Sequence, residues 1–147
     1  MRLLLLDTCA VLRLANGEFR KFSASAMKAM READILYVSP ISEWEIALKW
    51  RDGGIELPMP PRDLMRTLVD SYSLSLIPLS EEVMFKATEL PAVHRDPADR
   101  FIIATALLGN LTVVTTDRRF REYGVRVIHE AKHVKRHPLD KMDTLWI

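Results

Sequence analysis

Asp7, Glu45, Asp99 and Asp117 stand where apolar, strand-like runs hand over to helices. Asp7 ends Leu3-Leu4-Leu5-Leu6, and Glu45 follows Leu36-Tyr37-Val38-Ser39-Pro40. Asp99 opens the apolar helix Phe101 to Leu108, and Asp117 ends Val113-Val114-Thr115-Thr116. In a parallel α/β sheet, such junctions gather at one edge, at the carboxyl ends of the strands. Carboxylates gathered there repel one another unless a cation neutralises them. A hard, oxygen-preferring ion such as Mg²⁺ or Mn²⁺ meets that need. The chemistry that follows is metal-assisted hydrolysis of a phosphodiester.

Each acid also has a plainer explanation. Asp7 and Asp117 are placed to cap helices. Ser42-Glu43-Trp44-Glu45 fits a capping box, with Ser42 as the cap. Asp96-Pro97-Ala98-Asp99 has a cap, a proline at the first helical position and an acid on the helix dipole. The joint pattern decides for a shared site. A carboxylate buried beside a leucine-rich strand is costly unless it is paired or bound to a metal.

Thr8, Thr115 and Thr116 can support such a site by hydrogen bonds, as readily as they serve ordinary strand and cap roles. Arg95, Arg100, Arg118, Arg119 and Arg121 border it. Arg118, Arg119 and Arg95 are the candidates for holding phosphates, and Arg100 is equally placed to pair with an acid. His94 reads as a structural histidine or a supporting partner of the acids. His129, His133 and His137 recur every fourth residue, but Pro138 and a polar tail favour surface histidines over a metal site.

The elements that position these residues alternate. Strands are expected at 2–7, 35–38, 74–78 and 111–115, with an edge strand at 126–129. Helices are expected at 9–15, 23–33, 42–51, 63–71, 81–90 and 98–108, with a short helical piece at 117–122. Thr8 is the expected cap of the first helix and Ser80 that of the fifth. Trp44, with Ile41 and Leu48, is expected in the core. Alternating strands and helices imply a three-layer α/β/α sandwich around a central, mostly parallel sheet of four to five strands.

The 147 residues suit one domain over 1–147, with 130–147 as a polar C-terminal tail. At 48% hydrophobic and 28% charged, the composition is that of a folded protein. A net charge of +1 gives no global basic field, so nucleic-acid binding needs a local patch. Cys9 is the single cysteine, which leaves no intramolecular disulfide and no cysteine-based zinc site. Four leucines interrupted by Asp7 are too few for a signal-peptide core, and no apolar run approaches a membrane span of about 20 residues. A cytoplasmic protein is expected.

Four motifs carry a resemblance. Leu6-Asp7-Thr8, Ser42-Glu43-Trp44-Glu45-Ile46-Ala47-Leu48-Lys49, His94-Arg95-Asp96-Pro97-Ala98-Asp99-Arg100 and Thr115-Thr116-Asp117 stand in order and at the right spacing. Together they resemble the PIN-domain ribonucleases, and most closely the VapC toxins of bacterial toxin–antitoxin pairs. The resemblance implies a PIN-like fold and an acidic quartet of Asp7, Glu45, Asp99 and Asp117, with Asp96 as an additional metal-ligand candidate. It further implies RNA cleavage under Mg²⁺ or Mn²⁺, homodimerisation and inhibition by a cognate antitoxin. Ala98 departs mildly from the pattern, where a larger residue such as Phe is common.

Two other readings compete. A haloacid-dehalogenase-type phosphatase needs a second acid two residues after Asp7, where Cys9 stands. A catalytically inactive PIN-like module that only binds RNA or protein would not need all four acids.

Overall fold

The computed structural model describes residues 1–128; the histidine-spaced tail, including His129, His133 and His137, lies outside the described residues. Five strands form one parallel sheet: β1 (Leu3–Leu6), β2 (Ile35–Val38), β3 (Leu74–Leu76), β4 (Thr112–Val114) and β5 (Val127–Ile128). Their order is β3-β2-β1-β4-β5. Six α-helices connect them: α1 (Thr8–Ala15), α2 (Ala24–Glu32), α3 (Pro40–Arg51), α4 (Pro61–Tyr72), α5 (Glu81–Glu89) and α6 (Pro97–Gly109). Short 3-10 turns cover Phe19–Lys21 and Arg118–Tyr123.

The leucine run is the central strand, covered on both faces. Leu4 and Leu6 join one core with Val11, Leu12 and Leu68, and Leu5 joins the other with Ile103 and Val113. That is the period-two alternation of a strand whose two faces are both apolar. The helices therefore form the outer layers of the expected sandwich.

β1 pairs with β2 on one side and β4 on the other. The chain leaves β1 toward β2 and β3, then returns across to β4. The topological switch point thus lies between β1 and β4, where open α/β sheets place their ligands. The Asp7 N–H bonds the Val114 carbonyl at 3.2 Å, which ties the two site-bearing strand ends together.

Of the two caps expected for the first helix, Asp7 and Thr8, it is Asp7 that caps α1, its Oδ1 accepting the Ala10 N–H at 2.8 Å. Ser39, not Ser42, caps α3, accepting the Ile41 N–H at 3.1 Å, because Pro40 serves as the first helical residue. Glu45 therefore lies beyond the first turn and has no capping duty. Trp44 is 47% exposed rather than core, since α3 turns Ile41, Ser42, Glu45, Ile46 and Lys49 inward. Helices α4 and α6 begin at prolines, slightly earlier than expected.

Candidate metal centre

Three acids reach the crevice from helix caps or first turns. Asp7 follows β1, Asp117 follows β4, and Asp99 sits in the first turn of α6. Glu45 projects from the interior face of α3. Asp7 and Glu45 are buried at 5% and 2% exposure, and Asp96 is buried beside them. Asp96 caps α6 through Oδ1, which accepts the Ala98 N–H at 2.9 Å.

Their electrostatics show that these groups share one space. Burial pushes the Asp7 carboxyl up to about 6, and the charge of Asp117 adds to the rise. Hydrogen bonds from Thr115 and the Ala10 N–H, and the charge of Arg13, pull it back only in part. Burial likewise lifts Glu45 to about 7, reinforced by Asp96 and Asp7 and opposed by Thr8 and Lys49. Asp99 is held well above the usual range, first by burial and then by Asp96 and Glu45, despite its bond to His94. Asp117 is the exception. Burial works against its charge, but His94 and Arg119 outweigh it and hold the carboxyl well below the usual range.

The hydroxyls are shared between acids. Thr115 is fully buried; its Oγ1 accepts the Asp117 N–H at 3.0 Å while its proton goes to Asp7. Thr8 lies 2.9 Å from the buried Ser42 hydroxyl and bonds Glu45. Thr116 is half-buried, next in the chain.

His94 is the residue that sequence reasoning undervalued. Its ring is fully buried, and Nε2 lies 3.0 Å from Asp99 Oδ2 and 2.8 Å from Asp117 Oδ2. One ligand-type atom from each of His94, Asp99 and Asp117 lies within 4.8 Å of the others. Burial disfavours a charged ring, but Asp117 and Asp99 outweigh it and push His94 up to about 10. The only sequence signal was its place five residues before Asp99.

The arginines divide. Arg119 donates from Nε and Nη2 to the two oxygens of Asp117, at 3.0 and 2.8 Å, while its own N–H is capped by Oδ1 at 2.9 Å. Arg118 and Arg95 are exposed near the rim. Arg100 pairs with backbone carbonyls rather than with an acid, reaching those of Ala87 and Leu90 at 2.7 Å and Pro91 at 2.9 Å.

Buried oxygen donors that resist ionisation for want of charge suit a hard divalent cation. Asp7, Glu45 and Asp99 fit that requirement; Asp99 shares His94 with Asp117, and Asp117 has Arg119 as a further cationic partner.

Residues 4–126 of the chain match the PIN domain family. The chain belongs to the PIN-domain family. Its likeness to VapC proteins is borne out by Ribonuclease VapC22 of Mycobacterium tuberculosis, 32% identical over 109 residues, covering 74% of this chain and 82% of that protein. The fold is also that of VapBC2 from Rickettsia felis bound to a DNA fragment from its promoter (TM-score 0.66, 16% identity, 87% of this chain and 98% of that one). DNA-bound VapBC from Salmonella typhimurium is similar, with a TM-score of 0.62 at 17% identity over 88% of this chain and 98% of that one.

Proposed function

We propose that the chain is a metal-dependent endoribonuclease, the toxin of a toxin–antitoxin pair, with Asp7, Glu45 and Asp99 as the principal ligands of Mg²⁺ or Mn²⁺. The observation that carries this reading is the placement of Asp7, Glu45 and Asp99 together at the switch point, the first two buried, where their mutual repulsion and burial both disfavour charge. Activity as a ribonuclease is supported by the relative named as one, and an antitoxin partner by the VapBC complexes that share the fold.

A divalent ion held there supplies Lewis acidity, acidifying water and offsetting charge on the leaving oxygen. The chain's own residues do the rest. Thr8 and Thr115 fix the rotamers of Glu45 and Asp7. Asp117 contributes through the His94–Arg119 network, with Asp96 as an auxiliary acid. Exposed Arg118 and Arg95 hold RNA phosphates at the rim, a role that gives affinity without sequence choice. Arg119 shares this role only as far as its bond to Asp117 allows. Homodimerisation and a cytoplasmic setting belong to the same reading. Among the described residues no helix is long and apolar enough to cross a membrane.

The test is an RNA cleavage assay under Mg²⁺ or Mn²⁺, with Asp7→Asn and Asp99→Asn as controls. Cleavage lost in both controls supports the reading. If the wild-type chain cuts nothing and the exchanges change nothing, the protein is a binding module. Expression without an antitoxin should halt growth of the host; unimpaired growth at high soluble levels would count against the toxin role.

A further inference from the structure

The loop Pro91–Asp96 carries His94 into the site, and two side chains from elsewhere hold it. The Tyr123 hydroxyl accepts the N–H groups of Val93 at 3.1 Å and His94 at 2.6 Å and donates to the Pro91 carbonyl at 2.8 Å. Arg100 donates to the carbonyls of Ala87, Leu90, Pro91 and His94, which joins the end of α5 to the same loop. Most of this loop is exposed, yet the protein itself, not only water, satisfies the backbone groups flanking its one buried histidine. Phe120 packs edge-on against the ring, with centroids 6.0 Å apart.

The ring's orientation decides its role. Asp117 Oδ2 faces Nε2 at 2.8 Å, and an ionised carboxylate only accepts, so the ring donates from Nε2. A histidine that ligates a metal through Nε2 must offer a lone pair at that atom. The Nε2 proton instead lies between the Oδ2 atoms of Asp99 and Asp117.

Resting on the reading that the acids hold a divalent cation, we infer that His94 is a positioning residue and not a metal ligand: its Nε2–H sets the spacing of Asp99 and Asp117, and Tyr123 and Arg100 hold it in register. Asp99 comes from α6 and Asp117 from the end of β4, so a donor bridging the two couples elements that the sheet alone does not join.

The experiment uses Mn²⁺ binding followed by electron paramagnetic resonance, with pulsed detection of bound nitrogen. The wild-type chain should bind Mn²⁺ with no directly coordinated nitrogen. His94→Leu should weaken Mn²⁺ affinity roughly 10- to 100-fold, the usual effect of losing a group that orients ligands. His94→Gln, whose amide N–H reaches the Nε2 position, should stay within about 3-fold of wild type, a smaller loss because the donor is kept. Tyr123→Phe, which removes one hydroxyl and leaves the core filled, should weaken binding in the same direction as His94→Leu, and carries the test if that variant does not fold. A directly bound nitrogen overturns the inference, as does a folded His94→Leu or Tyr123→Phe that binds like wild type, or a His94→Gln as weak as His94→Leu. If the wild-type chain takes up no Mn²⁺, the carboxylate reading fails. The positioning role is then read from the ring ¹⁵N shifts, where a proton on Nε2 upholds it and a lone pair there overturns it.

Discussion

The Thr115 hydroxyl joins Asp7 to Asp117, donating to the first carboxylate and accepting the backbone N–H of the second. Thr115→Val keeps the volume and removes both bonds. It should cost about 1–3 kcal/mol, the penalty for unsatisfied buried groups. Cleavage should fall by at least about 10-fold, because Asp7 loses its orientation. Thermal melting and a cleavage assay on the same preparation check the two effects. An unchanged rate would mean that Asp7 is oriented by Ala10 alone.

Asp7→Asn should abolish cleavage and raise the melting temperature of the metal-free protein. The amide keeps the cap on α1 and removes a charge that burial and Asp117 both disfavour. Asp7→Ala should gain less, since it also loses the cap, worth about 1 kcal/mol. Melting curves of the three proteins in chelator order them: Asn above Ala, and Ala near wild type.

Stability of the metal-free protein should fall as pH rises from 5 to 8. Asp7, at about 6, and Glu45, at about 7, bind protons more tightly folded than unfolded, where their ordinary values are 3.8 and 4.5. Their protonated forms stabilise the fold below the unfolded values, and that stability is lost as pH climbs through the folded ones. His94 acts with the same sign above about 6.5, its unfolded value. Each acid should contribute on the order of 2 kcal/mol to the fall. Saturating Mg²⁺ should flatten the profile by binding the ionised folded form. A metal-free melting temperature that rises over this range would refute the assignment of buried, raised acids.

Arg118 and Arg119 should separate under salt. Arg118→Ala should weaken RNA binding and reduce the slope of log affinity against log salt by about 0.7 for single strands. It should leave the pH profile of cleavage alone. Arg119→Ala should instead lower the cleavage rate across the whole range, because the Asp117 carboxyl loses the guanidinium that fixes both of its oxygens. Binding titrations at several salt concentrations, and rates from pH 5 to 9, distinguish the two.

Much of this was legible in the chain. The leucine run, the strand-to-acid junctions and the Gly and Pro stops carried the element order, because period-two burial and turn chemistry are local. The four acids were legible for the same reason, since each ends or starts an element. Sequence missed what depends on placement in three dimensions. Glu45 looked like part of a capping box because Ser42 precedes it by three; only Ser39 and Pro40, by starting α3 earlier, turn Ser42 toward Thr8. Trp44 looked apolar enough for the core, yet the buried face of α3 is given to Glu45 and Lys49. His94 was invisible as a bridge because its partners come from two different elements. Arg100 lies beside an acid in sequence, but four carbonyls of a neighbouring helix end and loop claim it.

Asp7, Asp96 and Asp117 each finish a helix with one oxygen while facing the crevice. A gene copy that drifts toward inactivity therefore cannot shed these side chains without fraying a helix end. Asparagine is the cheapest escape, because it caps as well as aspartate and carries no charge. Disarmed descendants of this chain should accordingly be recognisable by amides, not alanines, at the three positions.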